Sequence, residues 1–122
     1  MTESKAELSA KFVGKAISVL STPALLLDLD RFNAALANMQ QHAKKHNRAL
    51  RPHGKSHKCS EIAKRQLAAG AIGVCCTKVS EALVFAKAGV KGTLITSPIV
   101  SASALETLKE VHRLDSQVLA SV

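Results

Sequence analysis

From residue 49 onward, short apolar runs of strand length alternate with longer stretches in which apolar residues recur at helical spacing. The runs are Ala49 to His53, Ile72 to Cys76, Thr93 to Thr96 and Gln117 to Ser121. Their starts at 49, 72, 93 and 117 are separated by steps of 23, 21 and 24 residues, each long enough for one crossover helix. Helices are expected at about 60–69, 80–88 and 103–114, with Gly70 and Gly89 past two of their ends and Ser60, Thr77, Ser80, Ser101 and Ser103 near their starts. Upstream, Thr22-Pro23 introduces an apolar run, Ala24 to Leu27, that reads as a further strand. Asp30 is the expected N-cap of a helix to about His46, in which Phe32, Ala35, Leu36, Met39 and Ala43 repeat at helical spacing and Lys44, Lys45 and His46 suit the dipole. Residues 1–21 read as a weakly helical arm, with Phe12, Val13, Ile17 and Leu20 available for docking.

Strand and helix repeated in this order argue for right-handed crossovers and a parallel sheet. That leaves an open doubly wound sheet or a barrel, and no Gly-x-Gly-x-x-Gly follows a strand to favour the dinucleotide-binding form. The expected fold is therefore α/β, the N-terminal part of a (β/α)8 TIM-type barrel over residues 22–122, preceded by the arm at 1–21. Leu119, Ala120 and Val122 continue an apolar run to the last residue, so the chain is expected to be a fragment ending in its fourth barrel strand. A barrel portion of this kind exposes a strand edge and apolar interior, which predicts association.

Composition narrows the function classes. The 122 residues are 47% hydrophobic with a mean hydropathy of +0.11, a globular composition for one domain. The three aromatic residues are all Phe, too few for a stacking platform on single-stranded nucleic acid. Three cysteines, Cys59, Cys75 and Cys76, do not make a disulfide framework, which points to a reducing, cytoplasmic setting. Cys75 and Cys76 on a buried strand read as small core residues. Neither a signal peptide nor a membrane span is expected, because Glu3, Glu7, Lys11 and Lys15 interrupt the apolar residues of the start.

The net charge of +8 is concentrated: Lys44, Lys45, Arg48, Arg51, Lys55 and Lys58 lie within residues 44–58, with no Asp or Glu among them. The centre of this stretch is Arg51-Pro52-His53-Gly54-Lys55-Ser56-His57-Lys58. Like charges and the drying effect of a barrel both disfavour an ammonium, so Lys55 is a candidate amine nucleophile for Schiff-base chemistry. On this fold it also lies just past the C-terminal end of a barrel strand, where barrel enzymes carry their chemistry. A solvated basic loop or a phosphate-binding patch is the alternative reading of the same charges. His42 and His46, four apart on a helix, lack a third metal ligand and read as a solvated face.

Thr22-Pro23-Ala24-Leu25 with Asp28-Leu29-Asp30, the Arg51 to Lys58 element, Gly73-Val74-Cys75-Cys76-Thr77 and Glu81-Ala82 resemble the N-terminal barrel of the D-threonine aldolase and D-serine dehydratase family. That family belongs to the alanine-racemase-like (fold-type III) pyridoxal-phosphate enzymes. The resemblance implies that Lys55 carries pyridoxal 5'-phosphate as an internal aldimine. It implies a lyase that cleaves a β-hydroxy D-amino acid of the D-threonine or 3-hydroxy-D-aspartate type by a retro-aldol reaction. D-serine dehydratase-type elimination and a non-catalytic pyridoxal-phosphate carrier are the alternatives. Lys55 and His57 are then the expected catalytic residues, and Lys55 and His53 the expected cofactor contacts, with the histidines orienting the ring, tuning Lys55 or relaying protons. A divalent metal is expected for the full-length family, with its ligands outside these residues, so His57-x-Cys59 is assigned no metal role. The expected partner is a small D-amino acid, with no nucleic acid or membrane and with a homodimer possible in a full-length form. Thr96, Ser97 and Pro98, at the end of a strand, are further candidate contacts.

Overall fold

In a computed structural model, which describes residues 10–121, the repeating strand and helix pattern is realised as a parallel sheet with crossover helices. Strands β1 (Cys75–Cys76), β2 (Leu94–Ile95) and β3 (Leu119–Ala120) lie in that order, pairing Cys75 with Leu94 and Leu94 with Leu119. These regular segments are shorter than the apolar runs. The ladder continues beyond them through Leu94 N to Val74 O (2.8 Å), Thr96 N to Cys76 O (2.9 Å) and Ser121 N to Ile95 O (2.9 Å).

The run at 49–53 joins the other edge of β1 without forming a regular strand. His53 bridges to Cys75 in parallel, Ile72 N donates to Leu50 O and Cys75 N donates to Pro52 O. Two residues on one side are thus spanned by three on the other, a bulge that contains Gly73. Gly73 adopts φ +156, and a β-carbon there would run into the Gly92 carbonyl, so this crossing of two backbones is open to glycine alone.

The helices are α1 (Leu29–Lys45), α2 (Ser60–Ala68), α3 (Val79–Lys87) and α4 (Ala102–Leu114). Gly70 and Gly89 follow α2 and α3 as the pattern places them. The start of α1 is corrected: Asp28, not Asp30, is the N-cap, its Oδ1 accepting from Arg31 N at 3.0 Å. Asp30 falls in the first turn, where its charge still suits the dipole. Ser101 caps α4 through Ala104 N (3.2 Å), whereas α2 and α3 start after Cys59 and Lys78 without a hydroxyl cap.

The core lies between the sheet and the helices that follow it. Val74, Cys76 and Ile95 pack with Ala82, Phe85 and Val111, all essentially inaccessible to solvent. Helices α3 and α4 pack on each other and are also joined by Lys87 and Glu110 at 3.0 Å. Asp115, fully buried after α4, accepts from Thr93 N and Gln117 N, both at 3.1 Å, and so ties the entry of β2 to the approach to β3.

Two apolar stretches do not reach this core. Ala24 to Leu27 is not a strand: it joins no ladder, and Leu25 is wholly exposed. An apolar run becomes a strand only where a facing edge offers hydrogen bonds, and none of the described residues offers one here. The stripe on α1 is similarly open, with Ala43 buried but Met39 exposed, and Gln40 Nε2 fastens the helix to Gly70 O at 2.9 Å. In the arm, Ile17–Val19 forms a turn of 3₁₀ helix with Val13 and Ile17 exposed, while Phe12 and Leu20 are half-buried. The remainder of the arm, residues 1–9, and Val122 lie outside the described residues.

Candidate functional site

Where the 49–53 segment leaves the sheet, the chain makes a single 3₁₀ turn, Gly54–Ser56, closed by His57 N and Lys58 N donating to Gly54 O at 3.3 and 2.8 Å. Gly54 is buried under Phe85, and a β-carbon there would lie 2.5 Å from the ring Cζ. The aromatic ring occupies the inner side of the turn, so Lys55 is carried outward, exposed, past the strand's C-terminal end. Among the described residues it makes no ion pair.

The two histidines hold the turn from either side by the same device. His53 Nδ1 accepts from Lys55 N (3.4 Å), and His57 Nδ1 accepts from Cys59 N (3.1 Å). His57 is half-buried and meets the Phe85 ring in a T-shaped arrangement, centroids 6.5 Å apart. Burial holds the imidazole below its ordinary value, opposed by the Gln66 side chain.

Glu81 connects this turn to the next strand exit. Its Oε2 accepts from Thr77 N (2.8 Å) and Lys78 N (3.3 Å), while Oε1 lies 3.4 Å from Lys58 Nζ. Burial pushes the carboxyl up, but the two amides and the Lys58 ammonium outweigh it and hold the group below its ordinary range. Lys58 itself has φ +45, a left-handed conformation that a long side chain adopts when neighbouring contacts enforce it. A cavity of about 300 Å³ opens beside this pair, lined by Gly54, Lys58, Ser80, Glu81, Val84 and Phe85. A second, of about 260 Å³, lies at the exits of β1 and β2 against Thr77, Ser97, Pro98 and Ser101. Thr96 does not line it, and its hydroxyl donates to Cys76 O at 3.1 Å. Wider surface grooves occur on α1, one of them against α2, and they lie away from Lys55.

The crowding of five other cations around Lys55 does not survive folding. Lys44 and Lys45 end α1, and Arg51 turns back to the Gly92 carbonyl at the entry of β2, on the opposite end of the segment from Lys55. Lys58 is paired with Glu81. The drying invoked for Lys55 is also not supplied by the described residues, which leave it exposed.

Cys76 is fully buried, as its strand position suggests, and burial together with the neighbouring Glu81 pushes its thiol up to about 12. Cys75 is partly covered, and its thiol is raised by burial against a lowering from Arg51. The His42 and His46 rings lie tilted to one another, centroids 4.7 Å apart, on an exposed face. No group of three or more His, Cys, Asp or Glu arranged to hold a metal occurs among the described residues. No helix among them is long and apolar enough to cross a membrane. Glu81 and Gln66 were not assigned to the site from the sequence. The Glu81-Ala82 pair was visible, but its link to Lys58 across 23 residues carries no local signature.

The sequence pattern of the alanine racemase N-terminal domain matches residues 27–120. The chain is 48% identical over 101 residues to a D-threonine aldolase from Arthrobacter sp., covering 83% of this chain and 27% of that protein. It is 37% identical over 106 residues to a 3-hydroxy-D-aspartate aldolase from Paracoccus denitrificans, covering 86% and 27%. The crystal structure of D-threonine aldolase from Filomicrobium marinum superposes with a TM-score of 0.84 at 46% identity, covering 87% of this chain and 28% of that one. The chain therefore spans about a quarter of the length of these relatives. Parallel strands, the spacing of the crossovers and the lysine turn at a strand exit agree with that match: the chain belongs to the alanine racemase N-terminal domain family, its sheet and helices forming part of a barrel.

Proposed function

We propose that these residues are part of a pyridoxal-phosphate-dependent lyase acting on a β-hydroxy D-amino acid, with Lys55 as the cofactor's attachment point. The observation that carries the reading is the placement of Lys55: exposed, free of ion pairs among the described residues, and presented on a turn that Phe85 and two histidines hold from within. An amine so placed fits a cofactor that needs one reachable nucleophile on a steady support.

When bound, pyridoxal phosphate withdraws electrons from the substrate Cα, which serves both carbon–carbon cleavage and loss of water. Lys55 would supply the amine that holds the cofactor and, as a free amine, a base close to the reacting carbon. His53 is read as a cofactor contact. The part given to His57 narrows to orienting the turn, since its Nδ1 is engaged by Cys59 N and its Nε2 is sealed from solvent. Residues 22–122 then form the cofactor-bearing barrel portion, preceded by the arm at 1–21, in a cytoplasmic enzyme.

Aldol cleavage is the first reading because the aldolase relatives align over most of the chain. Dehydration is the second: a D-threo-3-hydroxyaspartate dehydratase from Delftia sp. is 43% identical over 70 residues, 57% of this chain. The test is borohydride reduction of the chain with added pyridoxal phosphate, followed by peptide mass mapping. The expected adduct is confined to Lys55 and lost in Lys55→Ala. Label spread over many lysines, or none, overturns the assignment.

A further inference from the structure

Two buried polar atoms near the lysine turn close no hydrogen bond, with each other or with any group among the described residues, and they belong to side chains that bear on one another. His57 Nε2 and Gln66 Oε1 are both sealed from solvent. Cys59 N donates to His57 Nδ1, so that nitrogen carries no proton, and a neutral ring must hold its proton on Nε2. The buried Nε2–H is then a donor in need of an acceptor, and the Gln66 carboxamide oxygen is an acceptor in need of a donor. The opposite amide orientation would set an NH₂ against an N–H and is excluded by like polarity. Gln66 projects from α2, the helix that begins just after Cys59, so the helix reaches back to the loop that starts it.

We propose that Gln66 is a positioning residue for the Lys55 turn: its carboxamide oxygen receives the Nε2–H of His57 and holds the ring in the tautomer whose Nδ1 accepts from Cys59 N. The effect of Gln66 in favouring the imidazolium is that of an acceptor facing the ring. Phe85 closes the arrangement, touching both its parts: it lies against Gly54 and presents itself to the His57 ring. The segment Gly54 to Cys59 is thereby fastened at its inner side by Phe85 and at its far end by His57, with Lys55 between them. Buried polar groups that satisfy one another select a single geometry, which is what a turn carrying a reactive amine requires.

The test is a long-range ¹H–¹⁵N correlation spectrum of the histidine-labelled chain at mildly alkaline pH, with hydrogen exchange at the Cys59 amide. The expected wild-type spectrum shows His57 as the Nε2–H tautomer. Gln66→Leu is expected to mix the tautomers and to speed Cys59 exchange by about tenfold, the loss of one modest hydrogen bond. Gln66→Glu keeps an oxygen at the same place and is expected to retain both properties. An Nδ1–H signal in the wild type overturns the proposal without any variant, so a misfolded Gln66→Leu would not shelter it. An unchanged Gln66→Leu, or a Gln66→Glu that behaves like Gln66→Leu, also overturns it. Its bearing on catalysis rests on the reading of Lys55 above, but these measurements need no cofactor, so the two can fail separately.

Discussion

Phe85, from the last turn of α3, occupies the space where any side chain at Gly54 would stand, its Cζ 2.5 Å from the position of a β-carbon. A helix thus packs directly on the backbone of the turn before Lys55, and the two positions are expected to be coupled. Gly54→Ala should lower stability by about 1–3 kcal/mol, the usual cost of overpacking. Phe85→Ala should cost about 3–5 kcal/mol through the cavity it leaves. Phe85→Leu should relieve part of the Gly54→Ala penalty, so that the double variant is more stable than the sum of the single losses. Chemical denaturation of the four proteins checks this, and strict additivity would refute the contact.

Glu81 joins two strand exits, and its three partners contribute unequally. Glu81→Ala leaves the Thr77 and Lys78 amides without their acceptor and should cost about 1–3 kcal/mol. Lys58→Ala removes an ion pair whose lysine is exposed and should cost no more than about 1 kcal/mol. Because the folded carboxyl lies below its ordinary 4.5, its stabilisation is complete above that value and is lost as pH falls through the folded one. The gap between wild type and Glu81→Gln in urea midpoint should therefore narrow on acidification below about 4.5 and stay constant above it.

His57 titrates with the opposite sign. Its folded value is lowered from 6.5, so the unfolded chain takes up a proton more readily and stability rises with pH across the interval below 6.5. Wild type should lose stability as pH falls from neutrality through that interval, while His57→Gln loses less. Denaturation midpoints of the pair should converge toward lower pH, and a gap that widens would contradict the burial of the neutral ring.

Cys76 is both inaccessible and held as a thiol, its value near 12. Iodoacetamide near neutral pH should leave it unmodified in the folded chain and label it only after denaturation, because the thiolate is the nucleophile. Peptide mass mapping with and without denaturant distinguishes the two states. Labelling of native Cys76 at the rate of a free thiol would show that the sheet is open at β1.

Much of the fold is legible in the sequence, and the reason is periodicity. Ser60–Ala68, Val79–Lys87 and Ala102–Leu114 carry their apolar residues at helical spacing between glycine and serine punctuation, and the strand exits recur at steps that one crossover helix fills. The repeated spacing Gly70-x-x-Gly73 and Gly89-x-x-Gly92 was also present, a signal for the tight crossing at Gly73 and Gly92 that periodicity by itself does not explain. Ala24 to Leu27 had the composition of a strand but no edge to pair with, and a ladder is a property of two segments, not one.

The sequence by itself determined the order of the elements, the parallel class of the sheet and the place of Lys55 at a strand exit, because these depend on residue spacing along one chain. Tertiary structure decided the electrostatics and the support of that site. Six cations close in sequence are divided between the two ends of one extended segment, each residue of which advances the chain by about 3.3 Å. Arg51 is drawn to Gly92 and Lys58 to Glu81, while Phe85 fills the space at Gly54 and meets the His57 ring. Each of these partners is brought near by the return of the chain through a helix, and interactions between charges and buried polar groups depend on distance in space, which linear order does not fix.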